Sequence, residues 1–264
     1  MKAPPFDYQR AASLDDASTL LARHGEDARL IAGGQSLLPA LNLRLAAPRL
    51  LIDIGRIEGL DRIEVSGDSV RIGALARHQA VLDNPAIARH VPLLTEALRH
   101  VAHPAIRARG TIGGNLAHAD PASELPACML ALSATVEATS GRGTRSIDAE
   151  TFFTGLFSTA LAPDEILTAV TIPLPAPPGA FHEIARRRGD YAIVGLATAG
   201  TRYAFFSVGD RPVLARHAAA AGSDIAAAKA ALARDLDPPD DLQATGAMRL
   251  HLAGVLLERT MGKA

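Results

Sequence analysis

The sequence predicts a mixed α+β protein made of more than one part, and three observations carry that expectation. Helix and strand patterns follow one another without regular βα alternation. At 264 residues the chain has the length for one or two cores and an appendage. A proline-rich stretch at 173–179 marks the clearest boundary. No internal repeat is evident.

In the first part, Ser13 is placed to cap a helix, with Asp15 and Asp16 suited to the positive end of its dipole and Gly25 closing it. Leu14, Ala17, Leu20 and Leu21 recur on one face of that helix. Strands are expected at 6–9, 28–32 and 50–54, a β-α-β-like unit whose second strand leads into Gly33-Gly34. A hairpin follows at 63–73, turning at Gly67-Asp68. Helices are expected at 77–83 and 93–101, then a second glycine loop at 110–115, a helix at 123–133, and strands at 135–139 and 164–172. Beyond the prolines come strands at 181–185, 193–206 (broken at Gly200) and 213–218. Ala-rich helices at 223–233 and 240–259 complete the series.

Composition excludes several functions. Lys and Arg number 27 against 28 Asp and Glu, a balance that argues against a general nucleic-acid or anionic-membrane binder. The longest uncharged stretch, 166–181, holds four prolines, so no transmembrane segment is expected there. The opening residues MKAPPFDYQR lack the apolar run of a signal peptide, and the chain reads as cytoplasmic. Its single cysteine, Cys128, cannot build a disulfide, a two-CxxC zinc site or an iron–sulfur cluster within the chain. Cys128 sits in an apolar helix and reads as a packing residue.

Ala32-Gly33-Gly34-Gln35-Ser36 and Thr111-Ile112-Gly113-Gly114-Asn115 are the segments that carry chemistry. Paired glycines let backbone N–H groups converge into a nest for phosphate oxygens, and Ser36, Thr111 and Asn115 offer neutral donors. Neither segment holds a Lys, which suits a buried pyrophosphate better than an exchanging nucleoside triphosphate. GxxxxGK[ST] is absent, as is a G-x-G-x-x-G that opens a helix after a strand.

These residues are recognisable in context. Ala32-Gly33-Gly34-Gln35-Ser36-Leu37-Leu38-Pro39 and Arg109-Gly110-Thr111-Ile112-Gly113-Gly114-Asn115-Leu116-Ala117-His118-Ala119-Asp120-Pro121 resemble the flavin-binding medium subunit of molybdenum hydroxylases. That family includes the aerobic carbon monoxide dehydrogenases and xanthine dehydrogenases. The likeness extends to Phe152-Phe153-Thr154-Gly155, Glu165-Ile166-Leu167, Arg187-Arg188-Gly189-Asp190-Tyr191-Ala192 and Arg249-Leu250-His251-Leu252-Ala253-Gly254-Val255-Leu256.

The resemblance implies a vanillyl-alcohol-oxidase-like (CO-dehydrogenase flavoprotein-like) FAD-binding fold with a C-terminal α+β domain. An N-terminal FAD-binding α+β domain would span 1–56, a middle one 57–173 and the C-terminal domain 174–264. By the same resemblance the cofactor-binding residues are Ile31, Ala32, Gly33, Gly34, Gln35, Ser36 and Leu37 with Thr111, Ile112, Gly113, Gly114 and Asn115, the two loops holding the pyrophosphate. Glu124 matches an acidic position at the ribose or ribityl portion, with Asp120 in the same loop. Ile166 and Leu167 match the strand near the isoalloxazine, and Tyr191 the residue beside the ring where an acceptor approaches.

The implied activity is that of an oxidoreductase subunit without a catalytic acid, base or nucleophile of its own. A large subunit with a molybdenum cofactor would hydroxylate substrate, [2Fe-2S] clusters on a small subunit would carry electrons singly, and FAD here would pass them to an external acceptor. The implied assembly is a dimer of heterotrimers. The alternatives are a stand-alone flavoprotein reductase or oxidase of the same fold, and a scaffold that has lost FAD. The sequence shows no covalent-flavin motif for the first, and intact glycines at both loops oppose the second.

This sequence departs from the family pattern in a shorter stretch at 203–241, in Met248 where an aromatic commonly stands, and in His182 and Glu183 where relatives often carry a lysine. His100 and His103 lack an acidic neighbour in sequence and Pro104 follows them, so no metal site is expected. His118 follows the second loop and is a candidate neighbour of the cofactor. Arg186-Arg187-Arg188 is either a solvated face or a contact to a partner or to Asp190.

Overall fold

The computed structural model describes residues 2–262. The first part runs Asp7–Arg10 (β1), Leu14–His24 (α1), Ala28–Ile31 (β2), Leu37–Asn42 (α2) and Leu50–Asp53 (β3). Ser13 caps α1 as its spacing predicts, its side chain accepting from the Asp16 N–H at 3.1 Å, and Gly25 ends it at a φ of +53°. The last strand is the central one: β1 and β2 both pair with β3, in parallel. Leu20 and Leu21 of α1 bury against Leu50 and Ile52 of β3, in a core that also holds Ile54, Leu75 and Ile166.

The second part runs Ile63–Val65 (β4), Ser69–Gly73 (β5), His78–Leu82 (α3), Pro85–His90 (α4), Pro92–Leu98 (α5), Pro104–Arg107 (α6), Ile112–His118 (α7), Glu124–Ala131 (α8), Thr135–Ser140 (β6), Gly143–Asp148 (β7), Ala149–Phe152 (α9), Phe153–Gly155 (β8), Ser158–Thr159 (β9) and Ile166–Pro173 (β10). Its sheet is antiparallel, in the order β4-β5-β10-β6-β7. The central strand β10 is buried at five consecutive positions, 166–170, because both faces of the sheet are covered. All eight residues of α8 are buried, as the apolar character of the seven that follow Glu124 requires.

The third part runs Gly179–Ala185 (β11), Ala192–Ala199 (β12), Arg202–Phe206 (β13), Val213–Leu214 (β14), Arg216–Ala220 (α10), Ile225–Asp235 (α11) and Gly246–Met261 (α12). Its strands form a consecutive antiparallel sheet. One face sends Phe181, Ala197, Ala199 and Phe206 into the core around Leu125 and Cys128 of α8. The other sends Val194, Leu196 and Phe205 against Ala228 and Leu232 of α11 and Leu256 of α12. Alternation of side chains along the strands divides the residues between the two cores.

Several boundaries differ from expectation, each for a physical reason. The strand expected at 213–218 stops at Leu214, because Asp235 accepts hydrogen bonds from the N–H groups of His217 and Ala218 at 3.0 and 2.9 Å and winds 216–220 into a helix. The last helix begins at Gly246 rather than near 240. Asp240 accepts from the Gly246 N–H at 2.6 Å, and Thr245 caps the helix. Strand β7 escaped notice because only Ile147 of its six residues is buried, which leaves no alternation to read. Helix α4, with Asn84 as its cap and Pro85 at its first position, was also missed. Most consequential, 112–118 is helix rather than loop, with Thr111 as its cap.

Candidate functional site

Strand β2 ends at Ile31, and Ala32, Gly33, Gly34, Gln35 and Ser36 turn the chain into α2, whose first residue is Leu37. Gly34 adopts a φ of +72°, the left-handed region that glycine enters without strain. A β-carbon on Gly33 would stand 2.3 Å from the carbonyl oxygen of Arg109. The first glycine pair is therefore pressed against the segment that enters the second.

Among the described residues, the N–H groups of Gly33, Gly34, Gln35, Ser36 and Leu37 donate to no acceptor. Successive backbone donors left without partners are the kind of feature that suits an anion. The second pair differs, because its donors are spent internally. Ile112 and Gly113 donate to the carbonyls of Ala76 and Ala74 at 3.0 and 2.8 Å, Gly114 to Thr111 Oγ1 at 3.1 Å, and Asn115 to the Thr111 carbonyl at 3.0 Å. What α7 leaves exposed is the bare Cα of Gly114, while Thr111 is buried at 2% exposure. The expectation of free converging N–H groups fits the first segment alone.

Gly113 is bare for packing: a β-carbon there would lie 2.5 Å from that of Ala74. Ala74 in turn donates to the Thr168 carbonyl at 2.9 Å, which ties α7 to β10. Ile166 and Leu167 are buried to 1% and 5% exposure in different cores, so their side chains face opposite sides of the sheet.

Asp120, Glu124 and Tyr191 gather past the far end of α7. Asn115 and Ser123 exchange two hydrogen bonds at 2.8 and 3.0 Å, and Asp120 accepts from the Ala122 N–H at 2.9 Å. The exposed Tyr191 comes from the third part, and partial burial together with the Asp120 charge raises its hydroxyl pKa. Glu124 is 8% exposed; burial above all, then the nearby Glu183 and Asp120, pushes its pKa up to about 8.

The residues singled out from the sequence thus fall into two groups joined by the seven residues of α7. His118 belongs to neither and packs its ring on Phe157 at 5.0 Å. Arg186, Arg187 and Arg188 are exposed, and Arg186 lines a surface pocket with Gly189, Asp190, Tyr191 and Gln243. Cys128 is fully buried, which raises its thiol pKa.

Sequence reasoning passed over two neighbours of the glycine pairs. Arg77 donates from Nη1 to the carbonyl of Arg109, and burial with the Arg109 charge lowers its pKa. His78, 4% exposed, underlies Gly110; burial pushes its pKa down to about 4. No periodicity marks either residue. Among the described residues no group of His, Cys, Asp and Glu is arranged for a metal, and no helix is long and apolar enough to cross a membrane.

Comparisons with known proteins agree with this architecture. Residues 4–175 match the FAD binding domain in molybdopterin dehydrogenase, and residues 179–264 match the CO dehydrogenase flavoprotein C-terminal domain. The chain is 41% identical to the 6-hydroxypseudooxynicotine dehydrogenase complex subunit alpha of Paenarthrobacter nicotinovorans, over 100% of its own length and 96% of that protein. It is 36% identical to the carbon monoxide dehydrogenase medium chain of Afipia carboxidovorans, over 98% and 96%. Quinoline 2-oxidoreductase from Pseudomonas putida 86 superposes with a TM-score of 0.94 at 39% identity, covering 100% of this chain and 98% of that one. The cradle of neutral donors fits FAD, and the chain belongs to the family of FAD-binding subunits of the molybdenum hydroxylases, a family of oxidoreductases.

Proposed function

We propose that this chain is the electron-transfer subunit of a molybdenum hydroxylase, taking electrons from iron–sulfur clusters of a partner and passing them through FAD to an external acceptor. The observation that carries this reading is the row of five unpartnered N–H groups at 33–37, backed by Arg77 and Arg109. A diphosphate is the ligand such a row suits, and glycine leaves its backbone bare for close approach. Ile31, Ala32 and Leu37 frame that row. Thr111, Ile112, Gly113, Gly114 and Asn115 form the opposite wall through the exposed face of Gly114. Asp120 and Glu124 take the ribose or ribityl hydroxyls, Ile166 and Leu167 back the ring system, and Tyr191 screens the side open to the acceptor.

When bound, FAD supplies conversion between one-electron and two-electron transfer. The chain holds and orients it. Its large partner carries the molybdenum cofactor, its small partner the [2Fe-2S] clusters, and the assembly is a dimer of heterotrimers in the cytoplasm.

The test is a visible spectrum of the purified chain, with acid release and identification of any flavin, for the chain expressed alone and together with its neighbouring genes. Released FAD together with co-purifying molybdenum and iron is the expected result. A colourless protein in both preparations overturns the reading.

A further inference from the structure

The segment 74–78 runs alongside 109–113 and is tied to it through the backbone. The carbonyls of Ala74 and Ala76 accept from Gly113 and Ile112 at 2.8 and 3.0 Å, His78 donates to the Gly110 carbonyl at 3.0 Å, and Arg77 bridges Thr111. The Arg109 carbonyl is left out of this ladder: among the described residues no backbone N–H donates to it. Its partner is a side chain, Nη1 of Arg77.

That same carbonyl is the surface on which Gly33 rests. A β-carbon on Gly33 would strike the carbonyl of Arg109 and the Cα of Gly110. Gly33 opens the row of unpartnered N–H groups, so the Arg77 side chain holds the peptide that sets how near this row stands to the second glycine pair. Arg77 extends from a fixed backbone. Ala74 donates to the Thr168 carbonyl at 2.9 Å, Leu75 donates to that of Leu60 at 2.7 Å, and the Leu75 side chain lies in one core with Ile166.

Charge supplies a second, independent observation. Nη1 of Arg77 is spent on the Arg109 carbonyl, and the rest of its guanidinium has no partner among the described residues. Neither Arg77 nor Arg109 forms an ion pair among those residues. Burial and the Arg109 charge lower the Arg77 pKa, against a weaker opposing pull from Asp53 and Asp61. Asp53 is already engaged by Tyr8 and Arg10. Two neighbouring cations without counter-charge, beside a row of unpartnered N–H groups, suit a polyanion.

We propose that Arg77 is a positioning residue for the cofactor's diphosphate: it clamps the Arg109 carbonyl on Gly33 and, with Arg109, supplies the positive charge that a diphosphate balances. This rests on the proposed function, which names FAD as the carrier of that diphosphate. A guanidinium suits both duties, because its fork donates to a carbonyl on one side and leaves donors for an anion on the other.

The test starts from the full chain, isotope-labelled and freed of flavin, titrated with inorganic diphosphate. In nitrogen–proton correlation spectra the Arg77 Nε–H cross-peak, assigned by its loss in Arg77→Lys, should shift to saturation. FAD affinity is then measured by flavin fluorescence at low and raised salt. Arg77→Gln should raise the FAD Kd about tenfold or more at low salt and flatten its salt dependence, which loosened packing alone would leave unchanged. Arg77→Lys keeps a donor and the charge and should recover most of the loss. A cross-peak unmoved by excess diphosphate overturns the proposal, and it decides the matter if the Gln variant does not fold. A folded Gln variant with wild-type FAD affinity, or a Lys variant no better than Gln, overturns it too. Wild type that binds diphosphate but no FAD fails the proposed function and leaves the clamp standing.

Discussion

Gly33 and Arg109 touch through their backbones: a β-carbon on Gly33 would lie 2.3 Å from the Arg109 carbonyl oxygen. Seventy-six positions apart in sequence, they fix the two glycine pairs as neighbours. Gly33→Ala forces backbone to move, because the atom struck is not a flexible side-chain end, and should cost about 1–3 kcal/mol by the overpacking rule. Urea unfolding of the variant measures it; a midpoint equal to wild type would show that the segments separate freely.

Gly114→Val tests the cradle with less damage to the fold. Gly114 is exposed, and its β-carbon would meet Thr111 Oγ1 at 2.7 Å, so the main structural loss is the helix cap, about 1 kcal/mol. Flavin retention should be abolished. Full FAD occupancy in the folded variant would remove Gly114 from the site.

Tyr191 is 62% exposed, so its replacement should change stability by no more than about 0.5 kcal/mol. Tyr191→Phe removes the hydroxyl alone, and Tyr191→Ala removes the whole ring. Both should retain FAD, and stopped-flow absorbance should show the reoxidation rate altered in Tyr191→Ala. An unchanged rate would take Tyr191 out of the acceptor approach.

Two buried groups shape the pH dependence of stability. His78 has a folded pKa of about 4 against an ordinary 6.5, so the unfolded chain takes up its proton first, and stability falls as pH drops through that interval. Glu124 behaves oppositely: with a folded pKa of about 8 against 4.5, stability falls as pH rises through that interval, by at most about 1.4 kcal/mol per unit. His78→Phe should flatten the acid side of the profile and Glu124→Gln the alkaline side. Thermal melts from pH 4 to 9 check both; parallel profiles in wild type and variants would contradict the assignments.

Arg249 is 4% exposed and holds the end of the chain together, with Nη2 2.8 Å from Asp241, Nη1 3.0 Å from the Pro239 carbonyl and Nε 3.2 Å from the Ile193 carbonyl. Arg249→Met leaves two carbonyls short of donors and should cost about 2–4 kcal/mol. Calorimetry of the variant decides it.

The sequence by itself determined whatever depends on local backbone freedom and period. Ser13 and Gly25 bounded α1, and Gly67-Asp68 placed a turn between β4 and β5. The two glycine pairs marked where other atoms approach the backbone closely. Only the tertiary structure decided which N–H groups stay free. The second pair looks as open as the first in sequence, yet carbonyls of Ala74 and Ala76 claim its donors. Arg77 and His78 were equally hidden, because their environment is built by segments distant in the chain. A local pattern fixes what a backbone can do; which donors it keeps and which charges it buries depend on what the rest of the chain packs against it.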